Sequence, residues 1–277
     1  MEFSGSYFIY SGTSSKQYGL IFANVETSRF GKISGEIKNN SIFNKRDKRN
    51  YIVGEDFSDS SVQFEAEIVT DDDRVIDLVQ RREIEKWLFH QPSYRKLYTE
   101  PECDAFSDTY EFVDGVEKRL YLNCRFVNAE KIEGNGGIIG YRFTVECDSP
   151  MAWQDSMLYT YTINNASSSS NSTITIPVDS DIRDYIYPKV TLTIGSSGGN
   201  ISISNITDDS TRVTAFTGLS SNITVIMRGD GVNYISGNYY QKFSQKNFIR
   251  LLDGDNTLSI TGNVVKVEVE FNNRRYI

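Results

Sequence analysis

Residues 71–89 read DDDRVIDLVQRREIEKWLF, and they differ from everything around them. Ile76, Val79, Ile84, Trp87 and Leu88 recur at helical spacing and form one apolar stripe, while Arg81, Arg82 and Glu85 lie away from its centre. Asp71, Asp72 and Asp73 precede the stripe, where carboxylates accept the free N–H groups of a first turn and favour the positive end of the helix dipole. Pro92 stands just past the other end, a position where a helix stops. The spacing predicts one amphipathic helix over residues 73–89, with Ile76, Val79, Ile84, Trp87 and Leu88 as the core face it lays on a sheet.

Outward from this segment the period changes from helical to two. In VQFEAEIV, Val62, Phe64, Ala66 and Ile68 fall on one face; near the end, Val265, Val267, Val269 and Phe271 alternate with Lys266, Glu268 and Glu270. Such alternation marks half-buried strands. Turn dipeptides separate the runs. Asp114-Gly115 joins DTYEFV to VEKRLYLNCRFV, Asp253-Gly254 joins NFIRLL to DNTLSI, and Gly262-Asn263 precedes the last strand, each with the residues a hairpin reversal needs. After Pro150 the composition turns to Ser, Thr, Asn and Gly, and strand-like runs recur every 8–12 residues, the spacing of an all-β sandwich. The polar run ASSSSNST at 166–173 reads as a linker or long loop. The expectation is a mainly β chain: a β-rich domain with one principal helix over 1–150 and an antiparallel sandwich over 151–277, with the boundary between 148 and 172.

Charge and composition exclude several functions. The net charge is −8; residues 1–150 carry 19 basic against 26 acidic side chains, or −7, leaving −1 for the remainder. An acidic chain is poorly suited to holding nucleic acid by its phosphates. No apolar run is long enough to span a bilayer, and the N-terminal MEFSGSYFIYSG has neither a basic flank nor a long apolar core, so no secretory signal is expected. Cys103, Cys124 and Cys147 have no metal-type spacing, and the single histidine, His90, rules out any site built on two imidazoles. No G-x-S-x-G elbow anchors a catalytic serine. Catalytic residues, metal ligands and cofactors are therefore expected to be none.

Smaller motifs have plain readings. Asp253, Asp255 and Asn256 resemble part of a calcium loop, but Val264 stands where its twelfth-position glutamate belongs, so a turn is the better reading. Arg228-Gly229-Asp230 reads as turn chemistry, and the Asn-x-Ser/Thr sequons follow from composition. Tyr234, Tyr239 and Tyr240 lie in a Gly/Asn-rich stretch, as rings that stack on sugars do, but no charged or amide cluster accompanies them. The basic run Lys45, Arg46, Asp47, Lys48, Arg49 reads first as a solvated hairpin tip, then as an intersubunit contact on an acidic neighbour, and last as a nucleic-acid contact.

In order, these pieces resemble the distal tail protein (Dit) family of long-tailed bacteriophages. The features are FSGSYFIYSGTSSKQYGLIFANVE with Tyr18-Gly19-Leu20 opening a strand, then Arg81-x-x-Ile84-x-x-Trp87-Leu88 on the helix. Lys96-Leu97 follows, then an extended hairpin and Cys147-Asp148-Ser149-Pro150 with Trp153 close behind. Tyr187-Pro188-Lys189-Val190 and the turn at Leu252–Leu258 continue the pattern, with Asp253 where the family usually has proline. The resemblance implies a structural virion protein, not an enzyme, at the distal end of the tail and assembled in the host cytoplasm. It implies a homo-hexameric ring built by the first domain, which joins the tail tube protein to tail-tip, baseplate or receptor-binding proteins. DNA passes through the ring without specific binding, and no membrane is involved. The second domain is then a galectin-like β-sandwich. The competing reading is a carbohydrate-binding cell-surface module or adhesin, which has no need of the helix-bearing first half.

Overall fold

The computed structural model describes residues 5–25, 37–44, 49–57, 61–100, 110–113, 116–134, 136–163, 165, 167, 169–181, 184–229 and 233–275. The chain divides into two compact units, residues 1–154 with 275–277 and residues 155–274.

The first unit contains β1 (Tyr7–Tyr10), β2 (Thr13–Ser14), β3 (Leu20–Val25), β4 (Ile37–Asn44), β5 (Arg49–Phe57), β6 (Gln63–Thr70), α1 (Leu78–Phe89), β7 (Arg95–Glu100), β8 (Tyr110–Val113), β9 (Val116–Gly134), β10 (Gly137–Cys147) and β11 (Ala152–Gln154). One large antiparallel sheet runs β2-β1-β7-β9-β10-β6-β3, with β8 and β11 added along β9; among the described residues β4 and β5 pair only with each other. Val113 of β8 opposes Val116 of β9; the Asp114-Gly115 dipeptide expected to join them lies outside the described residues. Gly19, at φ 61°, ends a 3-10 turn over Ser15–Tyr18 and releases the chain into β3 at Leu20. The alternation in β6 survives intact: Ala66 and Ile68 are buried, and Phe64 and Val62 pack against the same core. An aromatic line fills that core, with Tyr10 stacked 4.2 Å from Phe126 and Phe126 4.5 Å from Phe143.

The helix begins later than its acidic prefix suggested. Its N-cap is Asp77, whose Oδ1 accepts the N–H groups of Val79 at 2.7 Å and Gln80 at 2.9 Å. Asp73 is in the left-handed region at φ 55°, which no helix continues through. Tertiary bonds hold the preceding segment extended: Ile76 N–H donates to Ile138 O at 2.8 Å, and Thr70 Oγ1 donates to Arg74 O at 2.9 Å. The later start also corrects the stripe. Ile84 and Leu88 are buried, and Ile76 is buried from the extended segment, but Val79 is 68% exposed. Val79 precedes Ile84 by five residues, about 140° round the helix at about 100° per residue, and so leaves the core face. Trp87 is half-buried, stacked 5.7 Å from Phe8 and 5.4 Å from Tyr18, and its Nε1 donates to Tyr10 O at 2.8 Å. Asp77→Ala is expected to lower stability by about 1 kcal/mol, the usual loss of an N-cap. Urea unfolding midpoints check it, and an unchanged midpoint would mean that packing alone holds the first turn.

The second unit has two antiparallel sheets. One is β12 (Met157–Thr162), β21 (Val264–Phe271), β14 (Lys189–Ile194), β17 (Thr224–Arg228) and β18 (Tyr234–Ile235). The other is β13 (Asn171–Val178), β20 (Gly254–Thr261), β15 (Gly199–Asn205), β16 (Val213–Leu219) and β19 (Phe243–Lys246). Each sheet buries one face, Val190, Leu192 and Val267 in the first and Ile176, Ile203 and Leu258 in the second. Three local expectations change here. Gly262-Asn263 passes the chain from β20 to β21 in the opposite sheet and makes no hairpin. Asp253-Gly254 makes none either, because β20 pairs with β13, placing Gly254 opposite Val178. The polar run expected as a linker enters β13 at Asn171, and Asn165 just before it is buried, donating to Ile260 O and accepting from Ser172 Oγ. At the start of β21 the register skips Val265, with Thr193 opposite Lys266 but Ile194 opposite Val264. This bulge turns Val265 to solvent and Val264 inward, which simple alternation does not foresee.

Candidate assembly surface

The described residues of the first unit offer one outward face of the large sheet and one outward face of α1. On the sheet, Glu65 and Glu67 of β6 flank Arg142 of β10, which ion-pairs with Glu65, and Arg125 of β9 pairs with Glu146 at 2.7 Å. Lys96 of β7 lies 3.9 Å over the ring of Tyr121 on β9. These neighbours face one another across adjacent strands, the arrangement that keeps a sheet face wet while neutralising its charges pairwise. The arrangement forms a solvated, charge-paired wall. On α1, Leu78 and Val79 are exposed, followed by Arg82, Glu83 and Lys86. Ile76, Ile84, Trp87 and Leu88 meet the β-sheet core. Of the expected intersubunit residues, Lys45, Arg46 and Lys48 lie outside the described residues, and Arg49 is described only as the first residue of β5, opposite Asn44.

The other sequence candidates take structural places. His90 is the exposed C-cap of α1. Cys124 and Cys147 are free thiols directly opposite each other on β9 and β10, both buried. Burial, then a hydrogen bond that the protonated Cys124 thiol donates to Cys147, pushes the Cys124 thiol well above its usual range, which leaves it a poor nucleophile; Cys103 lies outside the described residues. Asn256 is buried at the centre of its turn, and Asp253 Oδ1 accepts Ser180 N–H at 3.0 Å, so the calcium-like residues stitch loops together. Among the described residues no group of three acidic, His or Cys side chains has metal-binding geometry, and no helix is long and apolar enough to cross a membrane. Tyr234 and Tyr240 are exposed, and Lys246 Nζ lies 4.6 Å over one face of the Tyr240 ring. What sequence reasoning missed is the exposed apolar cluster Val75, Leu78 and Val79; its signal is the phase of the stripe once Asp77, not Asp73, is taken as the cap.

Comparison with known proteins decides between an assembly part and an adhesive module. Residues 3–149 match the family model described as phage tail protein N-terminal domain, and residues 152–271 match the phage tail C-terminal domain. The chain belongs to the phage tail proteins. The tail protein shares its fold with the Dit protein (gp 19.1) of phage SPP1, described as a paradigm of the hub adsorption apparatus in phages infecting Gram-positive hosts. The likeness has TM-score 0.63 and 10% identity and covers 97% of this chain and 98% of that one. It is also similar to a chain of the phage P2 baseplate in its activated conformation with Ca, with TM-score 0.52 and 10% identity over 97% of both chains. No curated protein sequence matches it significantly. As a member of this family the tail protein is a structural component of the phage tail, and its mainly β fold with one principal helix is the hub fold.

Proposed function

We propose that this tail protein is a distal tail adaptor. Six copies close a ring through their first units and join the tail tube to tail-tip or baseplate proteins, with the DNA channel at the centre. The observation that carries the reading is the likeness to the SPP1 hub protein over 97% of the chain, both units included. The charge-paired wall of the large sheet suits a surface that DNA passes without adhering. A closed ring needs two different patches repeated on every copy. The second unit, read as a galectin-like sandwich, then presents itself to tail-associated or receptor-binding proteins. The protein works at the distal end of the virion tail, after assembly in the host cytoplasm.

Six first domains bring six times −7, or −42, formal charges together. Exposed charges are screened beyond about 10 Å at 0.1 M salt. The hexamer fraction is therefore expected to be larger at moderate than at very low salt, with little duplex DNA bound at either. Light scattering across a salt series, with a DNA mobility assay alongside, checks both. Assembly that weakens as salt rises to moderate levels, or tight salt-sensitive DNA binding, would count against a ring of acidic first units around a non-adhering channel. A protein that stays monomeric while its second unit binds saccharides would restore the cell-surface module.

A further inference from the structure

The approach to α1 combines two features that the fold itself does not use. Val75, Leu78 and Val79 are 43%, 54% and 68% exposed within five residues of chain, a density of bare aliphatic surface that a soluble element ordinarily hides. Val75 packs over the β9–β10 turn, where a Cβ added to Gly137 would lie 2.6 Å from its Cγ1, so the cluster sits on a fixed base. Around it the segment 71–77 carries Asp71, Asp72, Asp73 and Asp77 against Arg74, a balance of −3. The Arg74 guanidinium is already engaged, donating to Tyr18 O at 2.8 Å and lying 3.5 Å from Asp72.

The chain also contains the complement. Lys45, Arg46, Asp47, Lys48 and Arg49 sum to +3; the first four lie between β4 and β5 and Arg49 opens β5, and among the described residues these two strands pair with each other. We infer that the apolar, acid-rimmed start of α1 (Val75, Leu78 and Val79 beside Asp71, Asp72, Asp73 and Asp77) is a docking surface for the basic run 45–49 of a second copy of this chain. The inference rests on the ring reading above, which requires a heterologous contact between neighbouring copies. Apolar contact supplies the affinity, while the −3 and +3 surfaces set the register and reject a wrongly placed neighbour. The basic run then also offsets part of the charge that six acidic domains bring together.

Charge exchange in the full chain tests it, with mass by light scattering and far-UV circular dichroism read together. Asp71→Lys/Asp72→Lys and Lys48→Glu/Arg49→Glu are each expected to weaken self-association by roughly tenfold or more, as like charges meet at a close contact. An equimolar mixture of the two variants, or the four substitutions in one chain, is expected to recover most of the loss. Leu78→Ser/Val79→Ser should weaken association with an unchanged circular dichroism spectrum, because both side chains are solvent-facing in the single chain. A wild type that assembles and is indifferent to either reversal overturns the docking surface and leaves the ring standing. Reversals that weaken assembly with no recovery on exchange also overturn it, since the groups then act separately. A wild type that remains monomeric at every concentration overturns both readings.

Discussion

Trp87→Ala is expected to destabilise the first unit by about 3 kcal/mol, at the lower end of the usual loss for a buried aromatic because the indole is only half-buried. Its ring stacks on Phe8 at 5.7 Å and Tyr18 at 5.4 Å, joining α1 to β1 and to the turn before β3. Its Nε1 donates to Tyr10 O, so truncation also strands a carbonyl at the edge of the core. Trp87→Phe separates the two contributions: it keeps a ring for stacking, loses the donor, and should cost about 1 kcal/mol. The chain has two tryptophans, Trp87 and Trp153, and both lie in the first unit. Fluorescence of Trp153 therefore follows unfolding of that unit in either variant. A loss below about 1 kcal/mol for the alanine variant would mean that α1 is held by Ile84 and Leu88 alone.

In the second unit the largest effect is expected at Asn256. Its Oδ1 accepts Leu252 N–H at 2.9 Å and Asn205 Nδ2 at 2.8 Å, and its Nδ2 donates to Leu252 O at 2.7 Å and Gly254 O at 2.9 Å. The residue is fully buried, so water cannot replace these bonds when the side chain is removed. Each stranded group costs about 1–3 kcal/mol, and because three of the four lie in one relaxing turn, Asn256→Ala should lose about 3 kcal/mol in all. Far-UV circular dichroism in urea checks the loss. A calcium series checks the chemistry: millimolar calcium should leave the unfolding midpoint of the wild type unchanged, because this amide is saturated by protein partners. A calcium-dependent rise in the midpoint would restore the metal-loop reading of Asp253, Asp255 and Asn256.

Both predictions turn on positions where local pattern and tertiary context part. Trp87 was legible as a core-facing residue because helix period places it beside Ile84 and Leu88. Val79 was misjudged because the same stripe was extended through residues that long-range bonds, Ile76 N–H to Ile138 O above all, hold out of the helix. Asn256 looked like a partial ligand set because its neighbours are carboxylates. Local turn bonds to Leu252 and Gly254 take part of it, and its remaining partner, Asn205, is brought by the pairing of β15 with β20, which no spacing rule contains.

The sequence by itself determined what depends on neighbours along the chain. Alternation fixed β6 and most of β21, and the helical stripe fixed one α-helix, because period is a local property of the backbone. The order of such segments sufficed for the family. Tertiary structure alone decided which sheet each strand joins. Gly262-Asn263 and Asp253-Gly254 have the same dipeptide chemistry as a hairpin, yet they carry the chain between sheets or into a strand whose partner is far away. It also decided where the helix starts and which aliphatic side chains are left bare. The physical reason is the same in each case: several local solutions differ by only about 1 kcal/mol. Long-range hydrogen bonds and burial of a common core then select among them.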